Sequence, residues 1–378
     1  MLSVDISKLT PSVFWTLLRK PHWLQVATQR RATWPSQTQV ADWRNNIPTS
    51  RDDGTHFSDS PFYFEWWYFD AVFAQDVALS VILHLTDLIK PASTQGSVNV
   101  SVFGRGKLIW SRFIPYSQDR IQTFSDICDV RIGRNRCWAE DDDVYGVHIE
   151  EADLQADMLF KTTTVGWRPG NGRFQFGGKD SFFSWIVPQP RAKVQGKIVI
   201  QGEKKRVNGW GYHDHNWGTV SLLDTVSKWS WGRMYLEDYT CVFADIHLST
   251  RYGGTRLMPY AFFQGDQALV SSFLQRNEPL DPDRDFLRRP WAVQPPKGWC
   301  LYWKGAGEQL TLELKTQHVL EKADLLGGSP IRRWITEKLI AHPYYIRCYV
   351  SAQGEWKHRK QSHALKGHGI YEQISLRR

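Results

Sequence analysis

Cysteine and methionine are scarce in this sequence of 378 residues, which has five cysteines and four methionines. The cysteines, at 128, 137, 241, 300 and 348, form no Cys-x-x-Cys pair, and their odd number argues against a disulfide framework. No apolar run reaches the roughly 18 residues of a membrane-spanning helix. The first 20 residues lack the features of a secretory signal. We therefore expect a cytoplasmic protein with reduced thiols.

The motifs of several enzyme classes are also missing. There is no Gly-x-Gly-x-x-Gly after a strand, no phosphate-binding Gly-x-x-x-x-Gly-Lys loop and no Gly-x-Ser-x-Gly elbow, so dinucleotide redox chemistry, phosphoryl transfer and serine hydrolysis lack support. The net charge of +8 is spread over short clusters without a recognisable nucleic-acid module, so we expect no nucleic-acid partner. Peripheral attraction to an anionic membrane is the alternative reading of this charge.

Aromatic residues are abundant, with 19 Trp, 19 Phe and 14 Tyr. Such rings bury large areas and often line pockets for extended apolar ligands. The polarity alternates with period two over long stretches, without helices between the strands, which predicts an all-β fold of barrels or sandwiches. The predicted strands are 62–73, 77–86, 97–102, 107–113, 144–150, 153–162, 181–187, 192–201, 228–237, 240–248, 257–264, 298–304, 310–315, 345–351 and 369–376.

Two helices accompany this β pattern. A short N-terminal helix begins at Thr10-Pro11 and stops before Pro21, and a late helix runs from Ser329-Pro330 to Pro343. Residues 277–298, rich in Pro, Asp and Arg, are predicted to form a long loop or lid. We predict a domain boundary between residues 220 and 228, after a Gly-rich segment.

The first dense motif is the aromatic run at 62–70, in which Glu65 is surrounded by rings. On a strand, Glu65, Trp67 and Phe69 share one face. The other face carries Phe64, Trp66, Tyr68 and Asp70. Burial among rings disfavours a charged carboxylate, which is how a protein keeps an acid protonated near neutral pH. Glu65 is therefore a candidate acid, or else it caps a buried Arg or backbone group in an ordinary aromatic core.

The second motif, residues 208–218, packs two histidines, an aspartate and an asparagine between rings and glycines. His213 and His215 would share a face of an extended segment, so a metal is conceivable. Zinc needs a third or fourth ligand, however, and the sequence shows neither His-Glu-x-x-His nor paired cysteines, so we expect no metal. A hydrogen-bonded acid, base or orienting group around Asp214 is the favoured interpretation, and a polar network that fixes the connection between two domains is the alternative.

The third motif, residues 229–235, places two tryptophans, Arg233 and a tyrosine on one strand face. Asp245 on the next strand is predicted to pair with Arg233 or, if unpaired, to be a second candidate acid. Glu372, near the C-terminus, is predicted to form a barrel-closing salt bridge.

These motifs together resemble the carotenoid 1,2-hydratase (hydroxyneurosporene synthase) and AttH-type lipocalin-like superfamily. The matching stretches are residues 65–69, 211–218, 229–233 and a Gly-x-Gly followed by Glu372. The resemblance implies two consecutive lipocalin-like β-barrel domains, a ligand cavity at or near their interface and no cofactor. We place the domains at 56–225 and 226–378, after an N-terminal extension of residues 1–55.

The superfamily includes hydratases of acyclic carotenoids and fungal Diels–Alderases. The resemblance therefore implies a cofactor-independent enzyme of isoprenoid or natural-product biosynthesis that hydrates or cyclises a long apolar polyene or terpenoid. In this hypothesis an acid, Asp214, Asp245 or Glu65, protonates an alkene, and His213 or His215 orients the acid or removes the final proton. Aromatic faces stabilise the resulting cation. The candidate substrate-binding residues are Trp66, Trp67, Tyr68, Tyr212, Trp217, Trp231 and Arg233.

Two alternatives stay open. The same cavity could belong to a pericyclase that folds a linear polyene and catalyses mainly by conformational restraint. It could also belong to a non-catalytic lipocalin-type carrier of a hydrophobic ligand.

Overall fold

The computed structural model describes residues 32–33, 47–74, 77–86, 95–177, 180–276, 287–288, 297–305, 308–324, 344–359 and 361–376. Within them the chain is nearly all β, with a four-residue helix α1 (Leu222–Thr225) and two 3-10 turns (Gln118–Arg120 and Thr250–Tyr252). The predicted all-β class is confirmed. Both predicted helices, at 10–20 and 329–343, and most of the predicted loop at 277–298 lie outside the described residues. In the described part of the chain no helix is long and apolar enough to cross a membrane.

The first sheet has thirteen strands, and its neighbouring strands run antiparallel. Its order is β5-β4-β3-β2-β13-β12-β10-β9-β8-β7-β6, with β1 and β11 attached through β12, and it forms a nearly closed barrel. Its strands are β1 (Ala32–Thr33), β2 (Phe64–Phe73), β3 (Val77–His84), β4 (Gln95–Gly104), β5 (Lys107–Ser117), β6 (Ile121–Thr123), β7 (Asp129–Ile132), β8 (Asn135–Ala139), β9 (Val144–Glu151), β10 (Leu154–Thr162), β11 (Arg173–Phe176), β12 (Phe182–Ile200) and β13 (Glu203–Gly218).

The second sheet has nine strands in the order β17-β16-β15-β14-β22-β21-β20-β19-β18 and forms a half-barrel. The first sheet ends at Gly218 and this one begins at Val226, so the domain boundary that we propose falls in the stretch between them. The strands of the second sheet are β14 (Val226–Leu236), β15 (Tyr239–Leu248), β16 (Arg256–Gln264), β17 (Gln267–Arg276), β18 (Leu287–Arg288), β19 (Gly298–Gly305), β20 (Glu308–Asp324), β21 (Tyr344–His358) and β22 (Gln361–Ser375).

Apolar side chains form three clusters. One fills the first barrel and includes Trp67 and Phe69, and one lies inside the second sheet around Phe243. The third lies between the two sheets, where Tyr68 and Trp231 belong to the same cluster. We call this region between the sheets the seam. A strand with one face on its own core and the other on the seam buries both faces, which explains why the motif strands are rich in rings on both sides.

The prediction of two separate strands within residues 181–201 was wrong. Residues 181–187 and 192–201 form one strand, β12, which continues through Pro188 and Pro190. Proline cannot donate to a ladder, and the strand accommodates it with irregular pairing around Gln189. The Gly-rich segment, for which no strand was predicted, belongs to β13, which pairs with both β2 and β12. A Cβ at Gly209 would collide with the carbonyl oxygen of Val72, so glycine permits this close pairing.

Candidate functional site

Strand β13 carries polar side chains on both of its faces. Its register with β2 sets Asp214 opposite Tyr68 and His213 opposite Phe69. Because side chains alternate along a strand, Asp214 points to the seam while His213 and His215 point into the first barrel. Two separate polar groups therefore lie back to back across one strand.

On the seam side, the carboxyl group of Asp214 is surrounded by three donors. Trp185 Nε1 and Tyr212 OH donate to its Oδ2 atom at 3.1 and 2.9 Å, and Asn216 Nδ2 donates to its Oδ1 atom at 2.8 Å. Trp231 of the second sheet packs against Tyr212 with 4.9 Å between ring centroids. The acid thus lies among rings contributed by both sheets.

Burial raises the pKa of Asp214 to about 7, and repulsion by Glu372 and Asp70 adds to this, against the hydrogen bonds from Tyr212 and Trp185. A carboxyl group with this pKa is protonated in a substantial fraction of molecules near neutral pH. Asp214 can therefore serve as a proton donor to a group bound at the seam.

A buried ion-pair network joins the two sheets beside this acid. Arg233 of β14 binds Asp70 of β2, with 3.0 Å between Nε and Oδ1, and Arg347 binds Glu372 at 2.8 Å. Tyr68 OH connects the pairs by hydrogen bonds to Asp70 at 2.9 Å and Glu372 at 3.2 Å. Burial lowers the pKa of Arg233, but attraction to Asp70 outweighs it and the pKa is raised. This network links the first sheet to the second through Asp70 and Tyr68.

The seam contains a cavity next to this network. It measures about 10 Å³, enough for about one water molecule. Its lining comes from both sheets: Tyr68, Asp70, Ser80 and Phe103 from the first, and Leu320, Arg347 and Ile370 from the second. Among the described residues, this cavity is too small to hold a large ligand.

The second polar group, which we call the barrel cluster, consists of Asp53, Glu65, His213, His215 and Cys128. His213 Nε2 lies 2.8 Å from Asp53 Oδ2, and His215 Nε2 lies 2.8 Å from Glu65 Oε1. Glu65 also accepts hydrogen bonds from the backbone N–H of His56, at 2.9 Å, and from the hydroxyl of Tyr63. Both histidines, Glu65 and Asp53 have no exposed surface.

The charged groups of the barrel cluster shift one another's pKa values. Burial alone would raise the pKa of Asp53, but His213 and His215 lower it to about 2. Burial alone would lower the pKa of His215, but its contacts with Asp53 and Glu65 outweigh burial and raise it. Glu65 caps neighbouring polar groups here, which is the alternative that the sequence left open for it.

The residues that the sequence singled out lie in two separate places, the seam and the first barrel. The seam receives Tyr68, Tyr212, Asp214, Trp231 and Arg233, with Trp66 packed at its edge, and the barrel side receives Glu65, Trp67, His213, His215 and Trp217. The strand separates both histidines from Asp214, so the expectation that a histidine orients the acid is wrong for Asp214. For Glu65, the other candidate acid on this strand pair, His215 does make the expected contact.

Asp245 also departs from expectation. It binds Arg256, with 2.6 Å between Nε and Oδ1, and lies 3.2 Å from His247. Burial alone would raise the pKa of Asp245, but His247 and Arg256 hold it well below its usual value. The prediction that it pairs with Arg233 is wrong, because Asp70 occupies that position. The predicted salt bridge of Glu372 is confirmed.

Sequence reasoning missed Asp53, Cys128, Trp185 and Arg347. The period of two did place Asp70 on the face of Tyr68, but it gave Asp70 no partner. Asp53 lies in a turn before β2, where no periodicity applies. Cys128 is one of five scattered cysteines, and only the folded chain brings it beside Asp53.

Comparison with known proteins agrees with this architecture. A family model described as carotenoid hydratase CrtC matches residues 175–296. Hydroxyneurosporene dehydrogenase of Chlorobaculum tepidum is 27% identical over 230 residues, covering 50% of this chain and 58% of that protein. The chain thus spans little more than half the length of this curated relative.

Two crystal structures extend the likeness to most of the chain. CghA with Sch210972 superposes with a TM-score of 0.62 at 14% identity, covering 88% of this chain and 97% of CghA. An AttH protein of Nitrosomonas europaea gives 0.59 at 16% identity, covering 87% and 96%. The chain has the fold of the CrtC/AttH lipocalin-like superfamily. Within this superfamily fold, Asp214 and Trp231 lie inside the segment matched by the carotenoid hydratase model, and Tyr68 and Asp70 precede it.

Proposed function

We propose that this chain is an enzyme that hydrates or cyclises an apolar polyene or terpenoid at the seam, with Asp214 as the general acid. The observation that carries the proposal is a fully buried carboxyl group with a pKa of about 7 among the rings of Trp185, Tyr212 and Trp231. The carotenoid hydratase family match supports the reaction class.

The proposed reaction begins when protonated Asp214 gives its proton to an alkene carbon and becomes a carboxylate. The adjacent carbon becomes a tertiary cation, which ring faces such as those of Trp231 and Tyr212 stabilise. In hydration, water adds to the cation and its extra proton returns to Asp214. In cyclisation, an internal alkene attacks the cation and the final proton is lost to the same carboxylate. In both cases the acid is regenerated without an added reductant or oxidant.

A polyene cannot enter a cavity of about 10 Å³. Binding therefore requires side chains at the seam, or the sheets themselves, to move apart before chemistry, as in other enzymes whose sites close over their substrates. The ion pair between Asp70 and Arg233 joins the two sheets. The hydrogen bonds from Tyr68 to Glu372 and from Arg347 to Ser80 also join them, and these contacts keep the described seam closed.

Isotope labelling tests the reaction class. Purified protein is incubated with neurosporene, as a probe acyclic polyene, and with a panel of linear terpenoids, in ¹⁸O-labelled water and separately in deuterated water. Hydration incorporates one ¹⁸O atom and one carbon-bound deuterium, and proton-initiated cyclisation incorporates deuterium alone. A cyclised product with neither label would point to a pericyclase, and saturable tryptophan quenching without any product would point to a carrier.

Asp214→Asn tests the acid. Loss of a general acid is expected to lower turnover by about 10²–10⁴-fold. The matched control is Asp129→Asn, a carboxylate of the same sheet that pairs with Arg131 and Arg136 near the surface, and this variant should retain activity. Wild-type turnover in Asp214→Asn would remove this residue from the mechanism.

A further inference from the structure

The two histidines of the barrel cluster have fixed orientations. His213 Nδ1 lies 2.9 Å from the carbonyl oxygen of Tyr68, which can only accept, so Nδ1 carries the hydrogen. His213 also stacks face to face on Phe69, with 3.8 Å between ring centroids, and His215 stacks on Trp67 at 4.2 Å. The rings are therefore locked with one nitrogen of each histidine directed at Asp53.

The nitrogen of His213 that faces Asp53 has two explanations. Nε2 lies 2.8 Å from Asp53 Oδ2, and two lone pairs at this distance repel each other. Either Nε2 also carries a hydrogen, or a cation lies between the lone pair and the carboxylate. A histidine that donates its other N–H to a backbone carbonyl is the usual arrangement of a metal ligand.

A third donor converges on the same point. The Sγ atom of Cys128, Nε2 of His213 and a carboxylate oxygen of Asp53 all lie within 4.8 Å of one another, and all three residues are buried. The second oxygen of Asp53, Oδ1, lies 3.0 Å from His215 Nδ1, and this contact fixes the carboxylate with its Oδ2 atom directed at His213.

The backbone brings these donors together. Asp53 lies in a turn that is bonded to the segment before β7, through Cys128 N to Ser50 O at 3.0 Å and Thr55 N to Phe124 O at 2.8 Å. Trp67 Nε1 donates to the carbonyl oxygen of Asp53 at 2.9 Å. Three segments far apart in sequence are thereby positioned before any ion arrives, as a metal site requires.

We propose that Asp53, Cys128 and His213 bind a divalent transition-metal ion of the zinc type inside the first barrel. One imidazole nitrogen, one thiolate and one carboxylate oxygen form a donor set that suits zinc and leave one position open in a tetrahedral shell. His215 donates to the outer oxygen of Asp53 and to Glu65, and so acts as a positioning residue. The sequence led us to expect no metal because Asp53 and Cys128 could not be recognised as ligands.

The geometry needs only a small adjustment. Ligand nitrogen and oxygen atoms around tetrahedral zinc are separated by about 3.3 Å, so His213 and Asp53 would move apart by about half an ångström. Because the cluster is on the opposite face of β13 from Asp214, the ion would bind the turn at residue 53 to β13 and to the segment before β7 without touching the seam. This inference is therefore independent of the proposed function.

Metal analysis of the full chain tests the site without any activity assay. The protein is purified without chelator and its metal content measured by mass spectrometry, then stripped, and titrated with Co²⁺ while absorption is recorded. We expect about one ion per chain, intense bands of tetrahedral cobalt and a thiolate-to-cobalt charge-transfer band. Cys128→Ser should lose that band and bind at least about ten-fold more weakly. Cys241→Ser, a buried cysteine of the second sheet, is the control and should bind like wild type.

A second variant separates ligand loss from misfolding. His215→Gln leaves all three ligands in place and should weaken binding by about 10–100-fold, as expected when a residue that orients a ligand is removed. The proposal is overturned if wild-type protein takes up no cobalt, or if its cobalt spectrum is octahedral and lacks a thiolate band. In that case hydrogen bonds from the two histidines hold Asp53 and Glu65 without an ion. If Cys128→Ser does not fold, the wild-type spectrum alone still decides, because only a thiolate ligand produces the charge-transfer band.

Discussion

Replacing Asp214 by asparagine is expected to change how stability depends on pH. Burial raises the pKa of Asp214 from 3.8 to about 7, so between these values the folded state keeps a proton that the unfolded state has released. Stability then falls as pH rises, by about 1.4 kcal/mol per pH unit. The window is about three pH units wide, so the loss attributable to this one carboxyl group reaches about 4 kcal/mol by neutral pH.

The assay compares the free energy of unfolding of Asp214→Asn and wild type by urea denaturation, followed by tryptophan fluorescence at closely spaced pH values. The difference, variant minus wild type, should increase by about 4 kcal/mol from about pH 4 to about pH 7.5 and then level off. Other titrating groups are present in both proteins and largely cancel in the difference. A difference that stays flat over this range would refute the raised pKa and, with it, the role of Asp214 as an acid near neutral pH.

Asp245 provides a matched control for the sign of this pH dependence. Asp245 is also a buried carboxylate, but its contacts with His247 and Arg256 hold its pKa below the unfolded value. Its stabilising contribution is therefore present above the unfolded pKa and is lost as pH falls. Asp245→Asn should be less stable than wild type at neutral pH, and the deficit should shrink toward acid, opposite to Asp214→Asn.

The seam gives two further expectations. Asp70→Asn leaves Arg233 buried without its carboxylate and should destabilise the chain by about 3–5 kcal/mol in denaturant titrations. Asp129→Asn near the surface should change stability by about 1 kcal/mol or less, and equal effects would contradict the burial argument. Each sheet expressed separately, as residues 1–225 or 226–378, should expose its half of the apolar cluster at the seam, bind a hydrophobic dye strongly and show no turnover. Activity in either fragment would place the site inside one sheet.

The pattern of residue types was sufficient to predict the all-β class and the two faces of the motif strands. Period two alone separates His213 and His215 from Asp214, because a strand must direct neighbouring side chains to opposite sides. It also groups Trp231 with Arg233. These are local rules, and they hold wherever the chain is extended.

Long-range pairing could not be predicted in the same way. Whether Arg233 binds Asp245 on the adjacent strand or Asp70 in the other sheet depends on how the sheets pack, and no local pattern encodes that choice. The role of Asp53 could not be predicted for a similar reason. A turn residue becomes a candidate ligand only when distant segments of the chain fold next to it. The prolines of β12 led to the opposite kind of error. They predicted a break between two strands, but irregular pairing lets one strand continue through them.

The back-to-back arrangement on β13 constrains how this strand can vary. Inserting or deleting one residue upstream of His213 would exchange the two faces, turning the acid into the barrel and the histidines toward the seam. Changes of length within this strand must therefore come in twos or be absorbed by a bulge at its ends. The proposed acid and the proposed metal ligand are thus inherited together, and neither can be repositioned by a shift in register without losing the other.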